Sequence, residues 1–344
     1  MTTAQVEFTE DELLMDSPIA EPLVAGGLRC HGGFDDDGRY VSPRTRFRRP
    51  AIDAWAQQNC ERFSTELLDV PMERWERTFP NVAQARFLIS AGVPEPLIAT
   101  LTRIGTVEGY GANIQRLKPV NLQRHFAEDI TATAIDHLGG GLFEAHGRDE
   151  AGWGGMAGHK DMWFAARDLA FGTPTADVDI EGMLARMGFS VGGPPTAAVR
   201  RLPDDIPFEL ETMVALMLRV LFIEISAFHT FAWAEEWLAD PDLVEHADEA
   251  SRLVGYIRLD ETPHVDYLRT ALSELRDRTW IGESGRRYPG TQMVGTLWDA
   301  LLELSLGEGR EASRRAALGE VEHWCAQRAH ADDLLAEFHA LGGE

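Results

Sequence analysis

A chain of 344 residues with 44% hydrophobic and 26% charged side chains can bury a sizeable core and has the make-up of a soluble globular protein. Its net charge of −24 argues against nucleic acid and anionic membrane as main partners, since both require basic surface. Cys30, Cys60 and Cys325 form neither a disulfide framework nor a zinc spacing, and the acidic start MTTAQVEFTEDELLMD lacks an apolar signal region, so a reducing cytoplasm is the expected setting.

Residues 1–50 show no helical or strand periodicity. They carry GGFDDDGRY and then the basic cluster PRTRFRRP. An N-terminal arm wrapping the domain is expected, in preference to an anion site. Residues 51–344 are expected to form a single helical domain. The stretch 51–69 has helical spacing. NVAQARFLISAG predicts a helix that stops at Gly92, and the prolines of VPEPL suit the first turn of the next one. The apolar face of that helix reads Leu97, Leu101, Ile104 and then Glu108, which sets an acid on a buried stripe.

Asn121 offers a cap for a helix over 121–146, whose face runs Phe126, Ile130, Ala134, His137, Gly141 and Glu144. Gly139, Gly140 and Gly141 are costly inside a helix and predict a kink or a close approach. A Gly- and Trp-rich loop spans 147–160; His146 and His159 border it and read as ordinary loop residues in preference to ligands or pocket residues. The Gly/Pro-rich excursion 172–207 and that loop are the expected lids. No useful alternating strand pattern is visible. The last two helices, within 291–341, are amphipathic and suit packing or a homodimer contact.

The run MVALMLRVLFIEISAFHTFAWA, Met213 to Ala234, is apolar all round, which marks a buried helix. Arg219, Glu224, Ser226 and His229 inside it, and acidic flanks on both sides, argue against a membrane span. A carboxylate in such a helix must be paired, neutralised or bound to a metal. Arg219 or Arg258 are alternative partners for Glu224. The next helical stretch, 248–277, carries Glu261 and His264 three residues apart, side by side on one face. Pro263 either opens this helix or follows a new start capped by Asp260.

These features predict an all-α fold, a bundle of four helices at about 94–116, 121–146, 209–238 and 248–277 with additional peripheral helices and long loops, around a carboxylate-bridged metal site. Glu224, Glu261 and His264 make one complete half. Glu108 and His137 make the other, with Ala134 where the partner acid belongs and Glu144 as its replacement on helical phase. Asp260, His229 and Tyr256 are candidates for the residues that back the ligands.

Glu224, followed after 35 residues by Asp260-Glu261-Thr262-Pro263-His264, resembles the half-motif of ferritin-like di-iron proteins, with a spacing similar to that of the N-oxygenases that oxidise aryl amines. The resemblance implies a non-haem di-iron centre (a single metal, or manganese, being the alternatives) that uses O2 on a small organic substrate. No flavin or nicotinamide motif is visible, so an external electron donor is implied. A metal-binding or storage bundle and a metal-free helical interaction protein are the rival readings.

Overall fold

In the computed structural model of the chain, residues 5–75, 78–117, 121–172, 174 and 200–342 are described. They are mostly helical, 63% against 8% strand, which agrees with the expected class. The expected N-terminal arm is more ordered than its sequence suggests. After the short helix α1 (Glu10–Leu13), β1 (Glu21–Ala25), β2 (Leu28–Phe34) and β3 (Tyr40–Val41) form an antiparallel sheet in sequence order. Gly26 and Gly27, both at positive φ, make the β1–β2 turn. The strands escaped detection because β2 is buried through Cys30-His31-Gly32-Gly33 and shows no alternation. Its edge is held by His31 N–H donating to Ala157 O (3.1 Å) and Ala157 N–H donating to Arg29 O (2.8 Å).

Helix α2 (Thr45–Phe63) follows, starting six residues earlier than its apolar spacing indicates. Asn81 and Gln84 form a capping box on α3 (Val82–Ser90), and Gly92 at φ 74° ends that segment. Helix α4 is Glu95–Gly111.

The helix expected over 121–146 does not exist. Its first part is a 3₁₀ turn, Leu122–His125, followed by turns through 131–137 with Ala132 left-handed at φ 58°. A π turn, Leu138–Leu142, then leads into α5 (Phe143–Ala151). Two causes are visible. Gly141 sits at φ 130°, and a Cβ there would lie 2.9 Å from Leu13 Cβ. The buried Glu274 carboxylate accepts the backbone N–H groups of Ala134 and Ile135, both at 2.9 Å, and holds them out of a helical ladder.

Helix α6 (His159–Phe171) is followed by the Gly/Pro-rich segment, most of which lies outside the described residues, as does its expected role as a lid. Helix α7 (Phe208–Leu238) is long and apolar enough to cross a membrane, and half of its most apolar window is buried inside the protein. Helices α8 (Ala247–Asp260) and α9 (Thr262–Asp277) replace the single helix expected over 248–277. Glu261 is the hinge, at φ −72° and ψ −20°, so the chain stays right-handed through the break while Pro263 withholds its N–H. Asp260 ends the first helix rather than capping the second. A hairpin of β4 (Thr279–Ile281) and β5 (Arg287–Pro289) precedes α10 (Gly290–Leu306), α11 (Glu308–Cys325) and α12 (Ala331–Ala340).

Two apolar cores result. One joins Trp55, Leu142, Val214, Leu221, Tyr267 and Trp280; the other joins Leu97, Trp163, Phe231, Trp237, Ile257 and Phe338. Helix α7 serves the first core up to Ile225 and the second from Ala227. Likewise α8 packs in the second and α9 in the first. Glu224 and Glu261 therefore fall where the two cores meet.

Candidate metal centre

Five helices and one hinge bring acids and imidazoles together at this seam. Glu108 comes from α4, His146 and Glu150 from α5, His159 from the first turn of α6, Glu224 from α7, Glu261 from the hinge and His264 from α9. All are buried, none more than 7% exposed. Glycines let the helices approach. A Cβ on Gly105 would lie 3.0 Å from Trp163 Cβ, and one on Gly111 would lie 2.7 Å from Glu150 Cγ. These contacts draw α6 and α5 onto α4.

Glu150 lies at the centre. Its Oε1 is 3.1 Å from His159 Nδ1, 3.3 Å from His264 Nδ1 and 3.8 Å from His146 Nε2. Glu261 also spans two imidazoles, with Oε1 2.8 Å from His159 Nδ1 and Oε2 2.7 Å from His264 Nδ1. At the edges, Glu108 Oε2 is 3.7 Å from His159 Nδ1, and Glu224 Oε1 is 3.3 Å from His146 Nε2. His146 stacks on His264 with centroids 3.9 Å apart, and its Nδ1 faces Tyr267 Oη at 3.0 Å.

The far nitrogens of two imidazoles meet buried carboxylates. His264 Nε2 is 3.0 Å from Asp149 Oδ2, and His159 Nε2 is 3.7 Å from Asp260 Oδ2. Asp149 is gripped by Arg44, whose Nε donates at 2.9 Å, and by Arg48, whose Nη1 lies at 2.7 Å. Asp260 instead accepts from Tyr40 O–H (2.8 Å), with His31 Nε2 at 3.6 Å. Asp149-Glu150 and Asp260-Glu261 are thus equivalent pairs, and each aspartate backs the histidine of the opposite half. This carboxylate–imidazole pairing behind a cluster of donors orients metal-ligating histidines.

The residues fit a metal. His146 Nε2, His159 Nε2 and Glu261 Oε1 are buried without a hydrogen-bond partner of good geometry among the described residues, although all three lie near other polar atoms. Four-donor sets with ligand atoms within 4.8 Å of one another are formed by His146, Glu150, Glu224 and His264, and by Glu150, His159, Glu261 and His264. Carboxylates with imidazoles are the donors that iron and manganese accept.

Electrostatics follow from crowding. Burial, reinforced by neighbouring carboxylates, pushes Glu108 and Glu224 well above the usual carboxyl range. Burial opposes charge on Glu261, but His159 and His264 outweigh it and hold that carboxyl well below its usual range. Burial would depress His159 and His264 too, yet Glu261 and the other acids hold both well above the imidazole range. For His146, burial wins, aided by His264, and keeps the ring neutral. Asp149 is held low by Arg44 and Arg48 against its burial.

Of the residues anticipated from sequence, Glu108, Glu224, Glu261 and His264 come together, and Asp260 stands directly behind them. His137 and Glu144 do not join them. With no helix before Leu138, His137 turns away: Nδ1 lies 2.7 Å from Thr133 O and its ring packs on Trp55 at 4.6 Å. Glu144 accepts from Arg148 Nε at 2.8 Å at the periphery. His229 is half-buried and belongs to neither donor set. Tyr256 stacks on Tyr40 at 4.3 Å, one residue removed from Asp260. Arg258, one of the two arginines weighed as a partner for Glu224, pairs instead with Glu235.

His146 and His159, expected as ordinary loop residues, are instead inside the cluster, as are Glu150 and the backing residues His31, Tyr40, Arg44 and Arg48. One sequence signal was available. Asp149-Glu150 repeats Asp260-Glu261, with Glu150 42 positions after Glu108 and Glu261 37 positions after Glu224. The partner histidine escapes an i+3 search because α5 ends at Ala151, and Gly152 at φ 80° turns the chain before His159 opens α6.

A cavity of about 30 Å³ is lined by Glu108, Glu150 and Glu224 and otherwise mainly by Val107, Ile114, Leu216, Val220 and Ile223, with Tyr110 and Asn113. A buried water needs about 10–15 Å³ of such space, so one fits there. No family model, curated protein or solved structure matches the chain.

Proposed function

We propose that the chain is a non-haem, O2-dependent oxidase or oxygenase of ferritin-like kind, in which this cluster holds two iron ions and acts on a small organic substrate, with amine oxidation as the reaction suggested by the sequence resemblance. The observation that carries the reading is the pair of central carboxylates, Glu150 and Glu261, each within reach of two buried imidazoles. Iron bound there supplies the reduction of O2 and the oxidation of substrate.

The residues of the chain do the rest. Four glutamates offset the charge of two divalent ions in a site that is almost wholly buried. Asp149 and Asp260 hold the imidazoles of His264 and His159 with Nδ1 directed inward. The cavity beside Glu108 and Glu224 has room for a diatomic gas or one water, and much of its wall is aliphatic. The sequence carries no nucleotide-cofactor motif, so electrons come from an external donor.

The test is anaerobic addition of Fe(II), counting bound iron, and then admission of O2. Two irons per chain that oxidise rapidly without accumulating a mineral core support an oxidase over a storage protein. Loss of iron binding in Glu261→Ala and His264→Ala is expected. A protein that retains no iron or manganese above trace would sink the reading.

A further inference from the structure

The two aspartates behind the cluster do not make the same contact. Asp149 Oδ2 lies 3.0 Å from His264 Nε2, a hydrogen-bond distance, and its other partners are the buried guanidiniums of Arg44 and Arg48. Asp260 Oδ2 lies 3.7 Å from His159 Nε2 and 3.6 Å from His31 Nε2, both too long for hydrogen bonds. The polar atoms around that gap are left over. Both ring nitrogens of His31, Nε2 of His159 and Oδ1 of Asp260 are buried without a hydrogen-bond partner of good geometry among the described residues. The three residues each place a donor atom within 4.8 Å of the other two. Two ligands about 2.1 Å from a tetrahedral ion stand about 3.4 Å apart. Gaps of 3.6 and 3.7 Å therefore fit a shared cation better than a shared proton.

We infer that His31, Asp260 and His159 form a further metal site, outside the glutamate cluster, for a borderline divalent ion such as zinc. This goes beyond the reading of the cluster as an oxidase centre and has one residue in common with it. The His159 ring meets Glu261 and Glu150 through Nδ1 and the outer site through Nε2. Bound at both nitrogens it is an imidazolate, and both ring protons pass to solvent as the ions enter. Two imidazoles and a carboxylate are a zinc donor set that leaves a fourth position for water. Imidazole also favours Zn(II) over Fe(II). The equivalent place behind His264 is closed to a cation by the two guanidiniums on Asp149.

The N-terminal sheet supplies what the site needs. Gly32, at φ 74°, lets the Tyr40 phenol come close, since a Cβ there would lie 2.5 Å from Tyr40 Oη. Tyr40 O–H then donates to Asp260 Oδ2 at 2.8 Å and acts as a positioning residue for that carboxylate. The donors come from β2, the first turn of α6 and the last residue of α8, so the ion ties the sheet to two helices.

The experiment saturates the full chain anaerobically with Fe(II), adds excess Zn(II), and records anomalous diffraction at the iron and zinc edges. We expect a zinc peak among His31, Asp260 and His159 Nε2, apart from the peaks among the glutamates. In solution, His31→Ala should bind one ion per chain fewer than wild type and keep the rest. Metal among the glutamates with no peak at the outer position overturns this inference and leaves the metal centre standing, as do equal ion counts in wild type and His31→Ala. A zinc peak at the outer position with nothing among the glutamates supports the outer site and sinks the proposed oxidase. An absence of metal at both places overturns both. The wild-type diffraction decides the matter even if the variant does not fold.

Discussion

Asp149 shows how tightly single residues are committed. It is fully buried, faces two guanidiniums and meets His264. Asp149→Ala would leave buried Arg48 with no carboxylate and buried Arg44 with Asp16 alone. Breaking a buried ion pair this way costs about 3–5 kcal/mol. Denaturant titration of the metal-free variant should show that loss, and a change under 1 kcal/mol would mean the guanidiniums find other partners. Gly111 is committed by space instead. In Gly111→Ala the new methyl lies 2.7 Å from Glu150 Cγ, so the central carboxylate must move. The expected outcome is a stability loss of about 1–3 kcal/mol together with weaker metal binding. Metal affinity equal to wild type would show that Glu150 is not a ligand.

At the scale of elements, Glu274 organises a segment that would otherwise have turned into helix. Burial pushes its carboxyl up to about 7, against the pull of Arg278 and the N–H groups it binds. The folded chain therefore holds that proton more tightly than the unfolded chain does. Its contribution is fully present below the unfolded carboxyl value of about 4.3 and is lost as pH rises towards 7. Glu274→Gln cannot ionise. The stability of the wild type relative to this variant should fall by about 3 kcal/mol between pH 4.5 and 8, at about 1.4 kcal/mol per pKa unit. Urea denaturation of both proteins across that range checks it, because the titration of all other groups cancels in the comparison. A difference independent of pH would show that Glu274 is ionised throughout.

The two helices around Glu261 make a related point. Pro263 prevents an uninterrupted helix, and the break lies at the residue that touches both His159 and His264. Pro263→Ala removes that constraint. Retention of iron stoichiometry with a changed metal-exchange rate is the expected result, measured by chelator competition.

For the molecule as a whole, the cluster trades protons for metal. Glu108, Glu224, His159 and His264 are all shifted towards their protonated forms in the metal-free protein. Metal must displace those protons, so affinity should rise with pH through neutrality and protons should appear on binding. Calorimetric titrations in buffers of different ionisation enthalpy measure the number released, and none released would contradict the protonation assigned here. Since metal binds only the folded cluster, a concentration of 100 times Kd should add about 2.7 kcal/mol of stability. The melting temperature should then rise with metal in wild type and not in Glu261→Ala.

What the sequence determined by itself was local. Apolar runs and their periods placed α3, α4, α7 and the α8–α9 pair, and an acid inside an all-apolar helix was enough to single out Glu224. Glu-x-x-His at 261–264 is a contact between neighbours on one helical face, so spacing alone revealed it. The tertiary structure decided everything that depends on distant partners. Periodicity over 121–146 gave way to one buried carboxylate and a glycine at φ 130°, and His137 and Glu144 went with it. His146, Glu150 and His159 became site residues only because a glycine-lined α4 draws α5 and α6 inward. Arg44, Arg48, His31 and Tyr40 read as a polar arm until the fold placed them behind acids more than 100 residues away. A buried charge is legible in sequence as a need for a partner; which partner answers is settled only by the packing that brings the two together.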